Sequence, residues 1–256
     1  MTKQVAVVTG ASSGIGLATA LRLARDYQAM VLVARGNENL QLAAAEVGKL
    51  GADVLVIEQD LSAPEAAKLV VSKTLERFSR IDVLVNIAGA VAGLDVFEMS
   101  DEQWEVGMAL KFHGARRLTL AAWESLKISN GAVVFTSGNA SENPRAAQVA
   151  VGAINAAIEA LSKAFSDRGI TDGVQVNTVS PGAVMTGRRH AMLEKAAKAR
   201  GISLDEMKKL FLKTAGISRF GEASEIANLM AFAVSPAARW MTGTVLRMDG
   251  GEIKSV

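Results

Sequence analysis

Short apolar runs with strand character alternate with helical patterns along the whole of this 256-residue chain, and that rhythm leaves few architectures open. Val5–Thr9, Met30–Ala34, Val54–Glu58, Val83–Asn86, Ala132–Thr136, Val174–Val179 and Gly243–Met248 read as seven strands. Helical patterns lie between them at Leu17–Tyr27, Leu40–Leu50, Glu65–Phe78, Trp104–Leu126 and Ala146–Phe165. The third helix is expected to start at Ser62, with Pro64 in its first turn. Strands that are apolar almost throughout are buried on both faces, the mark of a parallel sheet covered by helices. The expectation is one Rossmann-like, doubly wound α/β domain over residues 1–256, with a seven-stranded parallel sheet. Only Met185–Lys213 breaks the rhythm, as a helical insertion with eight basic residues against three acidic ones.

Composition excludes several functions. Cysteine is absent, which removes disulfides, thiolate nucleophiles and Cys-based metal sites. With only His113 and His190, a histidine metal cluster is not expected. A net charge of +2 argues against a nucleic-acid binder, whose affinity comes from many phosphate contacts. No apolar stretch reaches the roughly 18 uncharged residues of a membrane span, and Met1–Gly10 lacks a signal-peptide pattern. A cytoplasmic protein is the expectation, without membrane or nucleic-acid partners.

The strongest local motif is Thr9–Gly16, T-G-A-S-S-G-I-G, between the first strand and the first helix. Gly10 lets the chain turn off the strand, Gly14 leaves room for a pyrophosphate, and Gly16 permits close helix–strand packing. Ser12, Ser13 and Ile15 complete the turn, whose free N–H groups and positive helix end favour an anion. At the tip of the second strand a carboxylate would bind a ribose 2′-hydroxyl, whereas this chain has Ala34 and Arg35. Arg35 favours NADP(H) over NAD(H).

These motifs and five later ones, in order, resemble the short-chain dehydrogenase/reductase family over essentially the full length. The later ones are Asp60-Leu61-Ser62, Ile81–Gly89 (I-D-V-L-V-N-I-A-G), Ser180–Thr186 (S-P-G-A-V-M-T), and the closing Arg219–Glu222 and Thr242–Gly251 segments. The resemblance implies that Asp60 and Leu61 lie against the adenine. It places Asn86, Ala88 and Gly89 along the cofactor, and Pro181, Gly182 and Thr186 around the nicotinamide. It also implies a dimer or tetramer of identical chains, and that the 185–213 segment covers the substrate cleft. An anionic ligand such as an acyl thioester would suit that segment's charge, although a solvated helix face is the simpler reading.

In the family, a tyrosine gives a proton to the developing alkoxide. A lysine four residues later holds the ribose and lowers the tyrosine pKa, a serine binds the reacting oxygen, and an asparagine supports a water relay. Aligned on the resemblance, this chain has Val151, Asn155, Gly138 and Lys111 at those four positions. Its single tyrosine, Tyr27, belongs to the first helix. Lys111 and Asn155 look like an exchange of the family's asparagine and lysine. Ser137, Ser141, Asn139, Glu142 and His113 are further candidates for a replacement role, though each has an ordinary turn or helix reading. No catalytic residue is assigned. The expectation is an NADP(H)-binding, oxidoreductase-like protein with weak or atypical activity on alcohols or carbonyls. The alternative is an inactive family member that binds, senses or scaffolds.

Overall fold

Parallel strands dominate because the apolar runs have no polar face to give to water. The computed structural model describes residues 3–255. Along the chain run β1 (Val5–Thr9), α1 (Gly14–Leu23), β2 (Ala29–Ala34), α2 (Asn37–Gly48), β3 (Asp53–Glu58), α3 (Ala66–Phe78) and β4 (Val83–Asn86). Next come α4 (Asp101–Gly107), a π-helical segment Met108–Gly114, α5 (Ala115–Ser129), β5 (Ala132–Thr136), α6 (Val149–Asp172) and β6 (Gln175–Pro181). The chain closes with β7 (Val184–Met185), α7 (Gly187–Arg200), α8 (Leu204–Ala215), β8 (Gly221–Glu222), α9 (Ala223–Ala233) and β9 (Val245–Met248). The main sheet has seven parallel strands in the order β3-β2-β1-β4-β5-β6-β9, as a doubly wound fold requires.

Alternation along each strand feeds two cores. Val5 and Val7 pack with Val70, Leu118 and Ile158 from α3, α5 and α6. Ala6 and Val8 turn to the other face and meet Leu23, Leu40 and Met230 from α1, α2 and α9. The helical segment 146–172 is long and apolar enough to cross a bilayer by those criteria alone. Here its residues Ala150, Ile154 and Ile158 are buried within the domain.

Several boundaries differ from the sequence reading. The third helix starts at Ala66, not Ser62, because Asp60 accepts the Ser62 N–H (2.9 Å) and holds residues 60–65 in turns. The Trp104–Leu126 helix is α4, a π-helical segment and α5, running on to Ser129. α6 continues past Phe165 to Asp172, where Gly173 takes a left-handed cap (φ 73°). The 185–213 insertion is two helices, framed by a small β7–β8 pair. α9 has no counterpart in the sequence reading, although Ile226, Met230 and Ala233 recur at helical spacing and bury one face.

The far end of α6 carries a buried polar joint. The Trp123 indole N–H and Arg168 both donate to Asp172 at 2.7 Å. The Arg168 hydrogen bond, then that of Trp123, holds the Asp172 carboxyl down at about 2. Its folded pKa lies below the unfolded value, about 3.9, so its contribution is complete above pH 4 and disappears as pH falls towards 2. Melting temperature followed against pH should therefore show a steeper acid loss in the wild type than in Asp172→Asn. Parallel curves between pH 4 and 2 would contradict this role.

Candidate functional site

The topological switch point falls between β1 and β4, whose C-terminal loops part to opposite faces of the sheet. Thr9 fastens the two loops at their root: its hydroxyl oxygen accepts from the N–H groups of Ile87 (2.9 Å) and Ala88 (3.0 Å). A Cβ on Gly10 would stand 3.1 Å from Ala88 N, so the loops approach where only glycine fits comfortably. Gly10 and Gly14 have positive φ (67° and 55°). Gly16 has a different constraint: a Cβ there would lie 2.0 Å from the Gly10 carbonyl oxygen. The N-cap Ser13 makes no side-chain capping bond, which leaves the first N–H groups of α1 open towards the cleft.

A cavity of about 440 Å³ opens above this turn. Gly10, Ser12, Ser13, Gly14, Ile15, Gly16, Arg35, Leu61, Ala88, Gly89 and Thr186 line it, all expected from the sequence. Four other expected residues stand elsewhere. Asp60 is occupied with the turn at Ser62. Asn86 is buried beneath the cleft and donates to the Thr119 hydroxyl (3.2 Å), tying β4 to α5. It therefore supports the floor from below and does not line the cavity. Pro181 lies with Gly182 in the adjoining cavity, of about 270 Å³. The sequence reading missed Leu110, Gln59 and Arg188 in the first cavity. Arg188 reaches across to the Gly89 and Val91 carbonyls, a span from α7 to the β4 loop that no local pattern announces.

The adjoining cavity gathers Lys111, Ser137, Gly138, Val151 and Asn155 with Ile15 and Thr186. Lys111 comes from the π-helical segment, Val151 and Asn155 from the first turns of α6, and Gly138 from the loop after β5. Lys111 Nζ donates to the Asn155 side-chain oxygen and to the Ser137 carbonyl (3.2 Å). Asn155 Nδ2 lies 3.4 Å from the Gly138 carbonyl oxygen. Burial, reinforced by the Arg188 charge, lowers Lys111 to about 8. Gly138 has φ +156°, and a Cβ there would stand 2.9 Å from Asn155 Nδ2.

The other candidates differ in what holds them. The Ser137 hydroxyl is buried without a hydrogen-bond partner, and its carbonyl alone receives Lys111. Ser141 donates to Glu159 (2.6 Å), and Glu142 pairs with Arg247. His113 lines neither cavity; burial and the neighbouring Arg117 and Arg116 charges lower its pKa. Tyr27 lies at the opposite end of the sheet, in a cavity with Gln4, Val83 and Ala132, where burial raises the phenol to about 12.

A doubly wound sheet with a glycine turn at its switch point defines a nucleotide-binding class of domain. Within that class, residues 4–197 match the short chain dehydrogenase family, and the chain belongs to it. The short-chain reductase protein NovJ of Streptomyces niveus is 31% identical over 255 residues, covering 97% of this chain and 94% of that protein. The 3-oxoacyl-[acyl-carrier-protein] reductase FabG of Staphylococcus aureus is 28% identical, covering 98% of both. Among solved structures, L-sorbose reductase from Gluconobacter frateurii, complexed with NADPH and L-sorbose, matches with a TM-score of 0.95 and 30% identity, covering 100% of this chain and 98% of that one. NAD+-bound xylitol dehydrogenase matches at 0.90 with 28% identity, covering 97% and 98%. The chain is thus a short-chain dehydrogenase family oxidoreductase with reductases among its relatives.

Proposed function

We propose that the chain binds NADP(H) and is an atypical oxidoreductase of its family, with weak activity on alcohols or carbonyls. The observation that carries this reading is the cluster in the second cavity. Where the family resemblance calls for a phenol, a lysine, a serine and an asparagine, the cavity wall holds Val151, Asn155, Gly138 and Lys111. The described residues offer no phenol there, since Tyr27 is at the far end of the sheet.

The first cavity suits a dinucleotide: its glycines permit backbone approach, the α1 N-terminus faces a pyrophosphate, and Arg35 stands at the tip of β2. Gly10, Ser12, Ser13, Gly14, Ile15, Gly16, Arg35, Leu61, Ala88, Gly89 and Thr186 would hold the cofactor, with Pro181 and Gly182 at its far end. NADPH-complexed L-sorbose reductase supports the dinucleotide, and NAD+-bound xylitol dehydrogenase shows that the fold serves either form. When bound, a nicotinamide dinucleotide supplies or accepts a hydride. Val151 cannot donate a proton to a new alkoxide. Lys111 is the titratable group that lines this cavity beside Val151, anchored through Asn155 and the Ser137 carbonyl.

Fluorescence titration tests the cofactor half. NADPH should bind more tightly than NADH, and Arg35→Asp should weaken NADPH by about 10- to 100-fold, the value of a charged hydrogen bond to phosphate. Equal affinity for NADPH in the variant and the wild type would remove the Arg35 assignment. Turnover across an alcohol and carbonyl panel tests the other half. NADPH binding with no detectable turnover would establish the alternative, an inactive member that binds or senses; the missing phenol favours it.

Lys111 gives a further check. Its folded pKa lies below its unfolded value near 10.4, so between pH 8 and about 10.4 the folded chain holds fewer protons than the unfolded one. Stability from this group should therefore rise with pH across that window. Isotope-detected NMR of the lysine side chains should show one midpoint near 8 that is missing from Lys111→Met. A spectrum in which every lysine titrates near 10 would contradict the buried environment.

A further inference from the structure

We propose that the cleft beyond the dinucleotide cavity is a binding site for a small carboxylic acid that also carries a hydroxyl or ammonium donor. Two observations converge there. The second cavity shares Asn139, Ala140, Gln148 and Arg189 with a third, of about 250 Å³, so the two adjoin as one passage. Arg189 lines both, its guanidinium 5.2 Å above the Phe211 ring. Among the described residues no hydrogen bond or ion pair is made by that guanidinium, although much of it is withdrawn from water. A planar fork of donors, fixed on an aromatic face and left unpaired, is matched by a carboxylate.

Glu252 supplies the complementary half. It lines the third cavity, and its Oε2 is buried with no hydrogen-bond partner. The two opposite charges feel each other, yet they do not approach closely enough to pair. A buried unpaired acceptor and an unpaired guanidinium in one passage are both costly alone. A ligand that presents an oxyanion to Arg189 and an O–H or N–H to Glu252 satisfies both. The helix setting points the same way: Arg188 and Arg189 occupy the first turn of α7, which has no acidic residue, so their charges oppose its dipole until an anion arrives. Arg188 is already held by the Gly89 and Val91 carbonyls, which leaves Arg189 for the ligand.

This names a ligand class for the cleft of the proposed function and rests on that reading for the location only. Calorimetric titration of the full chain, with and without NADPH, would use 3-hydroxybutyrate, butyrate and methyl 3-hydroxybutyrate as probes. The hydroxy acid should bind about 2- to 10-fold more tightly than butyrate, and about 10- to 100-fold more tightly than the ester. Arg189→Gln should abolish the advantage over the ester, Arg189→Lys should recover part of it, and Glu252→Ala should abolish the advantage over butyrate. Thermal unfolding of each variant confirms that it is folded. Equal binding of acid and ester, or wild-type affinity in Arg189→Gln, overturns the assignment. Failure of the wild type to bind NADPH would defeat the dinucleotide reading, while the affinities of the chain alone still decide this one.

Discussion

Lys111→Asn, Val151→Tyr and Asn155→Lys combined should raise NADPH-dependent carbonyl reduction by about 10²–10⁴-fold, the usual value of general acid catalysis. The three positions already share one cavity wall, so the new phenol would stand one helical turn before the new lysine on α6. Lys111 and Asn155 now hold each other, and exchanging them together keeps an ammonium and an amide in contact. A serine at 138 is a different matter. The backbone φ of +156° is one that a residue with a side chain rarely adopts, so a serine there strains the loop. The triple variant should therefore outperform the quadruple one that adds Gly138→Ser. Initial rates on a ketone panel decide it: a triple variant that binds NADPH but stays at the wild-type rate would mean the second cavity does not present a substrate carbonyl to position 151.

Gly16→Ala should eliminate measurable dinucleotide binding and lower the melting temperature. A Cβ 2.0 Å from the Gly10 carbonyl oxygen cannot be accommodated by a side-chain rotation, because both groups belong to the backbone of the same turn. Overpacking of this kind costs about 1–3 kcal/mol, which for a chain of this size is roughly 2–12 °C. The binding effect is larger, since α1 must move off the strand and its open N–H groups lose their aim. Gly48→Ala is the matched control: it meets nothing within 4 Å on α2 and should leave binding intact while stabilising slightly. Scanning calorimetry with and without NADPH separates the two effects. A Gly16→Ala protein that NADPH still stabilises as it does the wild type would show that the turn does not carry the pyrophosphate.

The sheet was legible because every strand announces itself as a bounded apolar run, and because Thr9–Gly16 fixes where the first crossover begins. The glycine turn and Arg35 fell where the sequence placed them, since both are set by local chain geometry. Asn86 did not: its position at the end of β4 is right, but its amide points to Thr119, a contact across elements that the motif does not encode. Arg188 and Arg189 were visible only as part of a basic run. Which cations of that run face inwards depends on how α7 leaves β7, and the short β7–β8 pair gives no sequence signal.

The π-helical turn between α4 and α5 has a consequence for anyone altering this chain. Such a turn is the footprint of a single surplus residue in an otherwise regular coil. Deleting one position between Met108 and Gly114 would let the coil rewind. The wide turn has already absorbed that residue, so the flanking turns would keep their faces and only the residues inside it, Lys111 among them, would move by one place. Leu118 and Trp123 are locked into the core and hold α5 still, so the change falls on the stretch carrying Lys111. Length, as much as side-chain identity, decides which group meets the ligand.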